Sequence, residues 1–263
     1  MRFSICIEMF FPELGFCKRL SAIRAAGFDT VEFWSPYDKD LQAFHQEVQR
    51  LGLQVALFSG HRNHSPVLAQ DLDGFLAEIE GNAQTEKRLG CHRLMVLGDA
   101  LQPDGSAKPA DLSHRQKREN LLNALEKAAR IAAQGGLELC LEPLNLKDHP
   151  GNFLHQSEAA FEVVEILNHP NLKVLFDIYH MQRSQGHIIE TIQTHLDHIG
   201  YFHAADVPGR VEPGSGELNY PNIFRAIERM GFSGTVGFEC RPQGDANKAL
   251  EHIGALIAPF AAG

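Results

Sequence analysis

The chain has 263 residues, enough to bury a large core without disulfide or metal staples. Hydrophobic residues make up 44% and charged residues 22%, ordinary globular usage that excludes a disordered chain. The balance of 24 basic against 33 acidic side chains, net −9, lacks the Lys and Arg excess that drives binding to a nucleic-acid backbone, and no apolar run approaches the ~18 residues of a membrane span.

The opening MRFSICIEMFFPE carries Glu8 and Glu13 among its apolar residues. It lacks the long apolar core and small-residue cleavage site of a secretory leader. Its apolar part reads as a first strand over about 3–8. Phe16, Leu20 and Ile23 then share one helical face, and Gly27 stands where that helix stops. A second strand reads at 29–34. After Gly52 comes a third, 53–58, followed by a long connection over 59–82. Gly90 precedes a fourth strand, 92–97, and a second long connection over 98–113. Leu122, Leu125 and Ala129 mark the next helix, which stops at Gly135 or Gly136. Strands five to eight read at 137–142, 173–178, 199–204 and 235–239. Turn-like residues 168–171 precede strand six. Before strand eight lies a helix with Pro221 in its first turn, Ile223, Ile227 and Met230 on one face, and Gly231 at its end.

These strands are apolar runs rather than clean alternations, as expected when both faces of a parallel sheet are buried. Eight β-then-α units spell a (β/α)8 TIM barrel as a single domain over 1–263; an open doubly wound sheet is the alternative. No glycine-rich nucleotide fingerprint follows any strand. Of the five cysteines, Cys6, Cys91, Cys140 and Cys240 lie in or beside strands, Cys17 lies in a helical pattern, and none forms a C-x-x-C pair. They read as small buried hydrophobes in a reducing compartment, so a cytoplasmic protein is expected.

In such a barrel, polar residues at the C-terminal ends of strands are the catalytic candidates. Strand five ends in Glu142, six in Asp177, seven near His203 and eight in Glu239. Their spacings of 35, 26 and 36 residues are each close to one βα unit, so four successive strands present three carboxylates and one imidazole to one rim. Carboxylates that close repel unless protons or a cation intervene. This donor set suits Mn²⁺, Mg²⁺ or Co²⁺, and Zn²⁺ less well, since thiolates are lacking. Three further residues are candidates for substrate contact: His180, three positions after Asp177; Arg210, whose guanidinium suits a carboxylate or hydroxyl pair; and His61, after strand three. Glu8 and Glu32 read as inward polar groups or ion-pair partners, with no role assigned. Trp34 and Phe10 are candidates for an apolar wall or for ordinary rim packing. Lys173 starts strand six at the wrong rim for a Schiff base, and Lys147 lies in a loop. The glycine-rich PGRVEPGSGELN reads as a turn-rich loop in preference to a phosphate cradle.

The motifs E-P-L-N at Glu142, F-D-x-x-H at Asp177, P-G-R after strand seven, G-E-L-N-Y-P and the closing G-x-E-x-x-P together resemble the xylose-isomerase-like barrels. Within these, the chain resembles most the hydroxypyruvate isomerase family, over nearly its whole length. The resemblance implies that Glu142, Asp177, His203 and Glu239 ligate a divalent metal. It also implies that Glu142 and Glu239 double as the acid/base pair, that His180 contacts substrate, and that the protein forms homo-oligomers by family habit. There is one departure: enzymes most like the bacterial hydroxypyruvate isomerases carry Gln at the position of His203, whereas ketose 3-epimerases carry His. The implied reaction interconverts the aldehyde and ketone forms of a small hydroxy-oxo acid, hydroxypyruvate and tartronate semialdehyde or a related 2-oxo acid, through an enediolate. Metal assistance and carboxylate proton transfer drive it. Ketose 3-epimerisation, a metal-dependent dehydratase and a non-catalytic sugar-binding barrel are the alternatives. An abasic-site endonuclease on the same barrel needs more metal ligands and a basic face.

Overall fold

A computed structural model of the protein describes residues 1–261. Eight strands close into one barrel of consecutive neighbours, β1 (Arg2–Cys6), β2 (Thr30–Phe33), β3 (Gln54–Ser59), β4 (Arg93–Leu97), β5 (Glu138–Glu142), β6 (Leu172–Asp177), β7 (Ile199–Ala204) and β8 (Thr235–Phe238). Every pair is parallel, and β8 returns to β1 through the register Arg2↔Thr235 to Ile5↔Phe238. The expected barrel is therefore the observed one, and the open-sheet alternative is excluded.

Among the described residues, nine α-helices surround it: α1 (Phe16–Ala25), α2 (Leu41–Leu51), α3 (Leu72–Leu89), α4 (His114–Gly135), α5 (Ser157–Leu167), α6 (Ile178–Ser184), α7 (Ile188–His195), α8 (Tyr220–Arg229) and α9 (Ala246–Ile257). Their ends follow from local chemistry. The Asp40 carboxylate accepts from the backbone of Gln42 and Ala43 at the start of α2, and Ser113 with Gln116 forms a capping box on α4. Gly52 and Gly136 close these two helices in the left-handed conformation, at φ 63° and 73°. The second helix thus stops at Gly136, not at Gly135, which is its last helical residue. Asn168 ends α5 in the same way at φ 42°.

The α4 face differs from the expected one by a single position. Leu121, Ala124, Leu125, Ala128 and Ala129 are buried, while Leu122 is only partly covered. A stripe of alanines lets this helix lie close against the barrel, and that stripe, not the bulkier leucine, sets the inward face. The connection after β3 is also shorter than the 59–82 expected, because helix begins at Leu72. The 98–113 connection is as read, pinned by a bridge between Leu101 and Ala107.

Alternation along the strands separates two apolar layers. Residues such as Ile5, Val31, Leu94, Leu141, Val174, Phe202 and Val236 pack with the helices in the main core. Leu57, Met95, Cys140, Leu175 and Tyr201 form a separate buried cluster inside the barrel. None of the five cysteines forms a disulfide, and all but Cys17 are buried. No helix among the described residues is long and apolar enough to cross a membrane.

Candidate active site

The inward alternation that places Cys140, Leu175 and Tyr201 inside the barrel brings Glu142, Asp177 and His203 to its C-terminal rim two residues later. Glu239 follows β8 directly. One ligand atom from each of these four buried residues lies within 4.8 Å of those from the other three. The four strand-end candidates therefore converge. His203 Nδ1 stands 3.4 Å from Glu142 Oε1 and 2.9 Å from Glu239 Oε2. Arg210 reaches Glu239 Oε2 at 2.9 Å and Asp177 Oδ2 at 3.5 Å. Trp34 Nε1–H donates to the other Glu239 oxygen at 2.7 Å. Trp34 is thus a half-exposed wall residue tied to the site, whereas Phe10 lies fully buried in the core.

Asp177 has divided duties. Its Oδ1 caps α6, accepting from the backbone of Tyr179 and His180 at 2.8 and 3.2 Å. Its Oδ2 is buried with no hydrogen-bond donor. An orphaned carboxylate oxygen beside an imidazole and two further carboxylates is a donor set that fits a divalent cation of the Mn²⁺, Mg²⁺ or Co²⁺ kind.

His180 Nδ1 accepts the backbone N–H of Asn145 at 3.3 Å and lies 2.6 Å from the Asn145 side-chain nitrogen. Nδ1 being the acceptor, the ring proton sits on Nε2, which is buried without a partner, 3.5 Å from Asp177 Oδ2. Arg210 Nε is likewise buried and unpartnered. Both donors are available to a substrate oxygen. His61 differs: Nδ1 faces the His64 carbonyl at 3.0 Å, and Nε2 accepts the Leu97 N–H at 3.0 Å. Both of its nitrogens are committed to backbone at the ends of β3 and β4.

The electrostatics separate the carboxylates. Burial pushes Glu142 up and Asp177 up to about 7, against the pull of Arg210. Burial also pushes Glu239 up, but Arg210, His203 and the bond from Trp34 outweigh it and bring Glu239 to about 2. Burial opposes charge on His203, yet Glu32 and Glu239 hold it well above the ordinary imidazole range. Burial, reinforced by Arg210, keeps His180 well below that range and so neutral.

Two groups had no role in the sequence reading. Asp206, fully buried, accepts backbone N–H bonds from Val207, Gly214, Gly216 and Leu218 at 2.8–3.0 Å. An internal carboxylate thus fills the cradle of the PGRVEPGSGELN loop, which accords with a structural loop and leaves those amides no phosphate to bind. The same loop carries Arg210, whose φ of 56° is left-handed and whose carbonyl accepts the Arg241 N–H at 2.7 Å. His149, in the loop after β5, is anchored through Nδ1 to the Gly105 carbonyl at 2.9 Å, its ring 5.3 Å from that of His180. No strand pattern marked it, since loop histidines carry no periodic signal. Glu8 lies beyond β1 and pairs with Lys39 at 2.9 Å. Lys173, at the opposite barrel end, donates to the Asp197 carbonyl.

Comparison with known proteins places this geometry in context. Residues 20–256 match the family described as xylose isomerase-like TIM barrel. The chain is 31% identical to 2-oxo-tetronate isomerase of Cupriavidus necator, over 95% of this chain and 96% of that one. It is 32% identical to hydroxypyruvate isomerase of Escherichia coli, over 92% and 94%. Among solved structures, a protein titled AP endonuclease, family 2, from Brucella melitensis superposes with a TM-score of 0.88 at 28% identity, covering 99% of each chain.

Proposed function

The chain belongs to the family of xylose isomerase-like TIM barrels, and on that premise we propose that it is an isomerase interconverting the aldehyde and ketone forms of a small hydroxy-oxo acid. Hydroxypyruvate, with tartronate semialdehyde as its partner, and four-carbon 2-oxo acids are the substrate class, in keeping with what its relatives are named for. The observation that carries this reading is the convergence of Glu142, Asp177, His203 and Glu239 within 4.8 Å at the barrel rim. The net charge of −9 favours a small-molecule substrate over nucleic acid.

Those four residues would hold a divalent cation, Mn²⁺, Mg²⁺ or Co²⁺ in preference to Zn²⁺, which when bound supplies Lewis-acid charge opposing that of the enediolate. Glu239, kept ionised by Arg210 and His203, takes the proton from the substrate carbon. Glu142, whose buried carboxyl holds a proton more readily, returns one to the neighbouring carbon. Two carboxyls pushed apart in proton affinity suit this division of labour. His180 donates its Nε2 proton to a substrate oxygen while Asn145 holds the ring. Arg210 turns its free Nε–H to the substrate carboxylate. Trp34 covers Glu239 from solvent. His61, with both nitrogens engaged, serves the wall of the site.

The test is product identification. Manganese-loaded protein, given hydroxypyruvate, tartronate semialdehyde, a four-carbon 2-oxo acid and two ketoses, should convert the oxo acids between aldehyde and ketone. Inversion at C3 of a ketose alone would make it an epimerase, and loss of water would make it a dehydratase. Ligand binding without turnover would leave a sugar-binding barrel.

A further inference from the structure

We propose that Glu32 is a positioning residue for His203: lying inside the barrel behind the rim, it fixes which imidazole nitrogen faces Glu142, Asp177 and Glu239. Glu32, on β2, is 2% exposed. Its Oε2 accepts the Tyr201 hydroxyl at 2.5 Å and the Ser4 hydroxyl, and those two hydroxyls lie 2.8 Å apart. Its Oε1 has no hydroxyl partner and stands 3.1 Å from His203 Nε2, itself without another partner. Among the described residues, the His203 imidazole is the only basic group paired with Glu32.

The barrel is shaped to admit this carboxylate. Gly237 on β8 lies opposite His203 on one side and Ser4 on the other. A Cβ at Gly237 would overlap both Glu32 oxygens. Burying an acid among neutral hydroxyls is costly, and here the placement matches a specific demand. A carboxylate can only accept, so it holds the His203 proton on Nε2. Nδ1, the nitrogen 2.9 Å from Glu239 and 3.4 Å from Glu142, is then the one that would give up its proton and turn a lone pair to a cation bound among the rim carboxylates. Fixing tautomer and ring orientation in this way is what a carboxylate behind a metal-binding imidazole does.

This inference rests on the reading of the rim as a cation site, and the experiment keeps the two apart. Mn²⁺ affinity is measured on the full chain by titration with detection of free Mn²⁺, for wild type, Asp177→Asn, Glu32→Gln and Tyr201→Phe, with melting curves taken without metal. Asp177→Asn should bind Mn²⁺ far more weakly; unchanged affinity there would remove the premise, and the inference with it. With that loss in hand, Glu32→Gln should weaken Mn²⁺ binding by about 10–100-fold in a protein that still melts cooperatively. Tyr201→Phe, which leaves Oε1 in place, should shift it by less. Wild-type affinity in a folded Glu32→Gln protein would overturn the role. Should that variant fail to fold, ¹⁵N-histidine NMR of Zn²⁺-loaded wild type decides. A proton on His203 Nε2 supports the assignment, and one on Nδ1 contradicts it.

Discussion

Glu32 and Glu142 are equally buried, each 2% exposed, yet they live in different surroundings. Glu32 comes from the first half of the barrel and meets two neutral hydroxyls and one imidazole. Glu142 comes from the second half and shares its space with Asp177, Glu239, His203 and Arg210, all at one rim. Glu8, a largely buried acid of the first half, has a lysine of its own. Burial of an acid therefore does not by itself mark chemistry. What distinguishes the rim is several like charges converging with too few cations to match them, so that their proton affinities are driven apart.

The sharpest way to break this contrast is to neutralise one carboxylate at the rim. Glu142→Gln or Glu239→Gln should lower kcat by about 10²–10⁴-fold, the usual worth of a positioned proton-transfer group. Steady-state assays on hydroxypyruvate would measure it. A Glu32→Gln enzyme, compared at saturating metal, should retain most of its turnover; an equal loss there would erase the distinction between the two acids. Asp206→Ala tests the loop that carries Arg210. Leaving four backbone N–H groups of the loop without their carboxylate, one buried and three part-buried, should cost about 1–3 kcal/mol in denaturant unfolding, with a raised KM as Arg210 loses its seat.

Gly237→Ala sharpens the contrast from the interior side. Its Cβ meets Glu32, so a loss of about 1–3 kcal/mol from overpacking should come with weaker metal binding. A smaller effect concerns pH. Burial raises Asp177 from 3.8 to about 7 in the metal-free protein. Its contribution to stability is then complete below pH 3.8 and is lost as pH rises through about 7. A cation competes with that same proton, so Mn²⁺ affinity should rise over the window in which metal-free stability falls. Melting curves at pH 5 and pH 8, with and without Mn²⁺, should move in opposite directions. Smallest of all, Asp40→Ala removes the α2 cap and should cost about 1 kcal/mol with kcat unchanged.

The second half of the barrel was the legible half, and the reason is geometric. A polar residue closing an apolar strand can only lie at the rim, so Glu142, Asp177, His203 and Glu239 could be placed by counting. Glu32 sits within T-V-E-F, where alternation points it inward but does not say whether it meets a cation, a hydroxyl or a metal ligand. That depended on Tyr201 and Ser4, 169 and 28 residues away in sequence. The role of Asp206 was hidden similarly, because Gly214 and Gly216 mark a loop whose amides can approach an anion without saying that the anion is the chain's own carboxylate. His61 shows the converse limit. A histidine after a strand end is a candidate for substrate contact, and only the three-dimensional contacts reveal that His64 and Leu97 occupy both its nitrogens.

The central claim is that the rim carboxylates move a proton between neighbouring carbons of a hydroxy-oxo acid. NMR of the manganese-loaded protein, with metal removed before recording, follows hydroxypyruvate or a four-carbon 2-oxo acid in D₂O. The account predicts deuterium at the carbon that gains hydrogen as the aldehyde and ketone interconvert, and neither exchange nor conversion for Glu142→Gln and Glu239→Gln. Conversion without solvent exchange, or exchange that persists undiminished in both variants, would contradict it.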